Sequence, residues 1–333
     1  MKKISLLILS IFLLTGCSLF KSDALKDVDV YTTTYPVNYV INYLYGDNAN
    51  IYSIYPSDVN FKEYELSEKK LNEFAKSSLF VFNSQDIDRN YAVNMLNKNS
   101  NLKLIDTTLG MNYTHSIEEL WLNPYNYLMM AKNTKTSLNE YITDPYLNKE
   151  INEKYEELQY ELSKLDATYK ETLKDAKYTT IVTDNELFKF LEKYNIEVIS
   201  LEEDIKTLTI KDGDNLSDIS KTYNVSISDI LTYNNKSDET LKVGETIKIP
   251  VKTIETSNVN LVKKLISEKK IKYIYSNSKE SNNIVNELIK DNNLELITIN
   301  TMYSINGDIT NTNENYLTIM NDNLELLKKE LYK

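Results

Sequence analysis

Apolar and polar positions along this chain follow two alternating rhythms. Residues 28–34 (VDVYTTT) alternate and are rich in β-branched side chains, as a buried strand would be. Residues 35–45 (YPVNYVINYLY) follow at helical spacing, with Pro36 suited to the first turn. The rhythm repeats, with strands predicted at 49–54, 79–83 and 102–105 and helices at 67–75 and 88–97. Strands alternating with helices of this length predict a parallel sheet covered on both faces, an α/β lobe. Residues 147–176 then carry an unbroken helical pattern without Gly or Pro, its apolar face made by Ile151, Tyr155, Leu158, Leu162, Leu165, Tyr169 and Leu173. At about 1.5 Å per residue such a helix is roughly 45 Å long, more than one lobe needs, so it is expected to join two lobes. A coiled-coil dimer is the competing reading. The βα rhythm resumes with strands at 178–183, 196–200, 272–276 and 294–299 and helices at 186–194, 260–269, 281–291 and 314–331.

One stretch breaks this second series. Residues 208–250 (LTIKDGDNLSDISKTYNVSISDILTYNNKSDETLKVGETIKIP) carry their own punctuation. Gly213 supplies a permissive turn and Asp214 stands ready to cap a helix over 216–223. Ile219 and Tyr223, then Ile227, Ile230 and Leu231, recur at helical spacing, and Gly244 turns the chain into the alternating Ile247 and Ile249. A small β-α-α-β unit is thus expected inside the second lobe. The division of the chain reads as a leader at 1–17, a tether at 18–27, a first lobe at 28–146, a joining helix at 147–177, a second lobe at 178–206 and 251–333, and an insert at 207–250.

Charge and the first residues change the picture. A formal net charge of -11 offers no basic face for phosphates, so no nucleic-acid partner is expected. Lys2 and Lys3 precede an apolar run at 4–14 and the tetrapeptide Leu14-Thr15-Gly16-Cys17, which resembles a bacterial lipoprotein signal. That resemblance implies acylation of the Cys17 thiol and a mature protein held on the outer face of the cytoplasmic membrane. Cys17 is the only cysteine, so neither an intramolecular disulfide nor a thiolate zinc site can form.

The body, 29–203 plus 257–333, resembles the solute-binding proteins of zinc and manganese ABC transporters. The stretches that carry the likeness are VYTTTYPVNYVINYLYGD, EYELSEKKLNEFAKSSLFVFN, ELWLNP, TIVTDNELFKFLEKYNIEVISLE and NYLTIMNDNLELLKKEL. The family implies two α/β lobes joined by one long helix, a divalent metal (zinc or manganese) as cargo, an ABC permease as partner, and histidine ligands. At the matching positions this chain has Lys62 ahead of Tyr64-Glu65, Glu119 ahead of Trp121, Asp184 or the adjoining Asn185, and no carboxylate between Asn300 and Tyr303. His115, four residues before Glu119, is the sole histidine. Zinc prefers imidazole and thiolate donors, whereas carboxylates and water suit harder cations.

The insert resembles a LysM domain nearly end to end. LysM domains bind chains of N-acetylglucosamine, as in peptidoglycan, and the resemblance places the groove between Asp212, Gly213, Asp214, Asn215 and Leu216 on one side and Tyr233, Asn234 and Asn235 on the other. No Ser-His-Asp set and no phosphate-cradling Gly loop is present, so no catalysis is expected. The reading from sequence is a membrane-anchored, non-catalytic lipoprotein with a metal-receptor body that has lost its histidines and a peptidoglycan-binding insert. Its alternative is a working zinc or manganese receptor that serves an ABC permease.

Overall fold

A computed structural model describes residues 25–56, 59, 61, 64–85, 87–254, 256–279, 281–302 and 314–333. The leader, Cys17, most of the tether, Lys62 and Tyr303 lie outside the described residues. Those described divide into two compact units, one of residues 25–111 and 128–161, the other of 112–127, 162–302 and 314–333.

In the first unit, β1 (Val28–Thr32), β2 (Ala49–Ser53), β3 (Leu79–Phe82) and β4 (Lys103–Asp106) form a parallel sheet in the order β2-β1-β3-β4. All four residues of β3 are buried, as befits a central strand covered on both faces. Helix α1 (Tyr35–Tyr45) buries Val37, Val40, Ile41 and Leu44, the three- and four-residue spacing that aims one stripe at the sheet. Helices α2 (Glu68–Phe74) and α3 (Asp88–Lys98) complete the alternation, with Ser67 capping α2 by accepting from the Lys70 amide. Next in sequence come the short helix α4 (Glu119–Leu122), which belongs to the second unit, and the 18-residue α5 (Pro124–Tyr141), which belongs to the first unit from Leu128 on.

Helix α6 runs unbroken from Pro145 to Lys174. It buries Ile151, Leu158, Leu162, Leu165, Tyr169 and Leu173, the face read from the sequence, while Tyr155 is only half-buried. Its residues through Glu161 belong to the first unit and those from Leu162 to the second.

The second unit repeats the architecture. Its strands β5 (Thr180–Thr183), β6 (Glu197–Ser200), β9 (Tyr273–Ser276) and β10 (Glu295–Thr298) are parallel in the order β10-β9-β5-β6. Helices α9 (Thr256–Ser267), α10 (Asn283–Asn292) and α11 (Tyr316–Leu331) accompany them, and Asn315 forms a capping box with Thr318 at the start of α11. Val182, Ile199, Val262, Ile274, Val285 and Leu288 form the core. Trp121 is fully buried: its indole N–H donates to the Thr301 carbonyl at 2.8 Å, and its own carbonyl accepts from the Tyr316 hydroxyl at 2.6 Å.

The helix expected over 186–194 is instead a 3-10 helix over Lys189–Tyr194, bounded by left-handed residues, Phe188 at φ +60° and Asn195 at φ +63°. Leu187, Phe188, Phe190 and Leu191 are all buried. Four apolar residues in five wrap too much of an α-helix to face one core, and the left-handed turn at Phe188 reorients them.

The insert is a β-α-α-β unit of β7 (Asp204–Thr209), α7 (Leu216–Tyr223), α8 (Ile227–Tyr233) and β8 (Thr246–Lys252). β7 and β8 pair antiparallel from Ile205↔Pro250 to Thr209↔Thr246, so the pairing starts closer to the host than residue 208. Ile210, Leu216, Ile219, Val225, Ile230, Ile247 and Ile249 make a core separate from that of the host sheet. Asn215 and Ser226 cap the two helices through their side-chain oxygens. Gly213 at φ +91° and Gly244 at φ +86° occupy the left-handed region that disfavours any Cβ. Asp214 does not cap α7; its carboxylate closes the preceding turn by accepting from the Lys211 amide at 2.7 Å.

Candidate functional site

In an open parallel sheet, ligands collect beyond the carboxyl ends of the strands where the strand order reverses. In the second unit that point lies between β5 and β9. Asp184 is the first residue past β5, and its backbone amide donates to the Tyr275 carbonyl at 3.0 Å, which holds the side chain over the sheet edge. One carboxylate oxygen, Oδ2, accepts from the Ser281 hydroxyl at 2.9 Å; Oδ1 is buried without a hydrogen-bond partner. Burial pushes the Asp184 carboxyl above the usual carboxylate range, the neighbouring Ser276 and Ser281 hydroxyls oppose that rise, and the Glu202 charge adds to it. Beside it, the Oδ1 of Asn185 is also buried and unpartnered, while the Asn185 carbonyl accepts from the Thr183 hydroxyl at 2.5 Å. Two inward oxygens without donors are a costly arrangement that a cation would relieve.

The first unit has a comparable edge. Thr33 and Thr34 follow β1 at its reversal with β3, where the Thr33 amide donates to the Val81 carbonyl, and both threonine hydroxyls are buried without partners among the described residues. Nearby, the Thr108 hydroxyl lies 3.0 Å from Asn83 Oδ1 and 2.8 Å from Asp106 Oδ1.

Glu119 opens α4 and is buried; its Oε2 accepts from the Thr114 amide at 3.3 Å, and its carbonyl accepts from Asn126. His115 is exposed. Among the described residues, no group of three or more His, Cys, Asp or Glu side chains is placed to hold a metal ion. Glu119, Asp184 and His115 therefore form no ready cage, and Lys62 lies outside the described residues.

The insert brings Asp212, Gly213, Asp214 and Asn215 into one exposed turn, while Leu216 points into its core. Across the insert, the Tyr233 hydroxyl donates to Glu203 Oε1 at 2.6 Å. Asn234 braces β8: its Oδ1 accepts from the Lys248 amide and its Nδ2 donates to the Lys248 and Ile230 carbonyls. Asn235 is exposed in the left-handed region at φ +53°. The polar tips of Tyr233 and Asn234 are thus already engaged by the fold. Sequence reading passed over Thr33, Thr34, Ser276 and Ser281; the one available signal was the place of the first three at a predicted strand end and of Ser281 at the start of a predicted helix.

No helix among the described residues is long and apolar enough to cross a membrane. The profile of the family described as "ZnuA: Zinc-uptake complex component A periplasmic" matches residues 30–248, about two thirds of the chain. Among curated proteins, the zinc-binding lipoprotein AdcA of Streptococcus pneumoniae is 24% identical over 353 aligned positions, covering 99% of this chain and 61% of AdcA. The chain thus spans about three fifths of the length of the curated relatives it matches. Among solved structures, the Zn(II)-bound ZnuA-like domain of that AdcA superposes with a TM-score of 0.65 at 19% identity, covering 92% of this chain and 100% of the domain. The metal-dependent lipoprotein YcdH of Bacillus subtilis matches with a TM-score of 0.65 at 18% identity, over 92% and 100% of the two chains. With two parallel-sheet α/β units and a profile match over most of its body, the chain belongs to the zinc-uptake component A family of solute-binding proteins.

Proposed function

We propose that the protein is a non-catalytic, lipid-anchored receptor on the outer face of the cytoplasmic membrane that captures a divalent metal ion and passes it to an ABC permease. Family membership favours this reading over a body that has lost metal binding. The observation that carries it in this chain is the pair of buried, unpartnered oxygens on Asp184 and Asn185 at the strand-order reversal. Glu119 and His115 are the further candidate ligands that the family likeness supplies. A set dominated by oxygen suits manganese better than zinc, whose tight sites are built from imidazole and thiolate.

Calorimetric titration of the full chain with Mn2+ and Zn2+, repeated on Asp184→Ala and Glu119→Ala, tests this reading. Manganese binding in the micromolar range that Asp184→Ala abolishes is the expected result. Absence of heat from either ion at millimolar concentration would return the body to a scaffold without metal cargo.

For the insert, we propose attachment to peptidoglycan glycan strands through the turn at 212–216 and the segment 233–235. Its independent core and exposed Gly213 turn support a self-sufficient binding module. The exposed side chain of Asn235 is free of the structural duties that occupy the side chains of Tyr233 and Asn234. Sedimentation with purified peptidoglycan should be lost when residues 207–250 are deleted, and equal retention would sink the assignment.

A further inference from the structure

A hollow of about 270 Å3 lies on the insert beside the Gly213 turn, lined by Leu208, Lys211, Asp218, Ile219, Thr222 and Tyr223 along with the turn itself. None of Tyr233, Asn234 and Asn235 lines it. It runs along α7, where Asn215, Asp218 and Thr222 recur at helical spacing on the exposed face.

We propose that this hollow seats one pyranose ring of the wall glycan, and that Asp218, Thr222 and Tyr223 are specificity-determining residues of the insert. The proposal rests on the glycan-binding reading above and assigns it residues outside the groove drawn from sequence. Four properties of the hollow argue for a sugar. Leu208 and Tyr223 are only partly covered by the insert core, so an aliphatic side chain and an aromatic ring stay open to the C–H face of a pyranose. Asp218 and Thr222 are exposed and keep acceptor capacity for ring hydroxyls. Asp218 Oδ2 accepts one bond from Asn215 Nδ2 and its Oδ1 lies 3.7 Å from the exposed Lys221 ammonium, while Thr222 spends its proton on the Asp218 carbonyl, leaving its oxygen to accept. The Lys211 ammonium has no ion-pair partner among the described residues and stands at the rim as a donor. The volume lies below the roughly 300–1,000 Å3 typical of sites for drug-sized ligands, which fits a single ring rather than an enclosed chain. The turn at 212–216 borders the hollow, so a glycan lying along the turn would continue into it.

The test uses the full chain, isotope-labelled, titrated with a soluble tetramer of N-acetylglucosamine while backbone amide shifts are followed. Shifts at Asp218–Tyr223 together with the Gly213 turn are expected. The variant Thr222→Arg, exposed and therefore tolerated by the fold, fills the hollow and should weaken the tetramer about tenfold, while Tyr223→Phe keeps the packing and should weaken it less. Wild-type binding with shifts confined to the turn and 233–235, or with Thr222→Arg unchanged, overturns the proposal and leaves the wall-binding reading standing. A wild-type chain that binds neither the tetramer nor purified peptidoglycan overturns both.

Discussion

The Tyr233 hydroxyl donates to Glu203 across 2.6 Å, joining the end of the insert's second helix to the segment that links it with the host sheet. Apart from the chain connections, this bond ties α8 to the stem of the insert. Tyr233→Phe should lower the stability of the insert by roughly 0.5–1.5 kcal/mol. Faster amide hydrogen exchange in β7 and β8, with β5 and β9 unchanged, is the measurement that checks it. Burial and the neighbouring Glu203 push the Tyr233 phenol up to about 12 from its ordinary 10. The folded state thus holds the phenol proton more tightly than the unfolded state. Its contribution is complete below pH 10 and is lost as the pH rises toward 12, so the wild type and Tyr233→Phe should converge in that window.

Glu330 is completely buried on α11, where one carboxylate oxygen accepts from the amides of Lys272 and Tyr273 at 3.1 and 2.9 Å. These are the amides that start β9. Glu330→Ala would strand two donors, and a loss of about 3 kcal/mol or more is expected in urea unfolding. Glu330→Gln keeps an acceptor and should recover most of that loss.

Asp184 is held at a cost in the folded protein. Its carboxyl lies above the ordinary 3.8, so ionisation disfavours the folded state: stability falls as the pH rises from about 3.8 through the folded value and levels off beyond it. Asp184→Asn removes the charge and should melt higher than the wild type at pH 7, with the gap closing below pH 4. Added Mn2+ should raise the wild-type melting temperature and leave Asp184→Asn where it was, because the bound cation needs the carboxylate.

Trp121 is the chain's single tryptophan, and its indole N–H satisfies the Thr301 carbonyl. Trp121→Phe leaves that carbonyl without its donor and opens space in the core, at an expected cost of roughly 1–3 kcal/mol. Thermal unfolding followed by circular dichroism measures it. In the wild type, the fluorescence of the same indole reports unfolding of the second unit alone.

The two parallel α/β units could be read from the sequence because their strands are short apolar or alternating runs, as in LFVF and TIVT, and their helices show an apolar stripe at the right spacing. The unbroken pattern ending at Leu173 announced the long helix for the same reason. Residues 186–194 were misread because Phe188, as a non-glycine residue in the left-handed region, gives no local sign of its conformation. Helices α4 and α5 were passed over: α5 scatters Asn, Lys and Thr among its apolar residues, which blurs its stripe. At the site, Asp184 emerged from its family position. So did the adjoining Asn185, but not the unpartnered state of its oxygen, nor the value of Thr33 and Thr34, since an unpartnered oxygen is a property of the finished hydrogen-bond network. The occupied amide of Asn234 is a fact of the same kind; sequence shows an asparagine in a loop, and only the fold shows it bound to Lys248.

The antiparallel pairing of β7 and β8 has a mechanical meaning. Both chain connections leave the insert at one end of this ladder, beside Ile205 and Pro250, while the Gly213 turn lies past the other end at Thr209 and Thr246. If, as proposed, a wall glycan is held near that turn and the body at the membrane, tension would run along β7 with β8 paired beside it. β7 would be drawn along its own length and not peeled from β8, so the inter-strand hydrogen bonds would not have to fail one by one. An insert entered and left in this way is suited to carry tension along its strands.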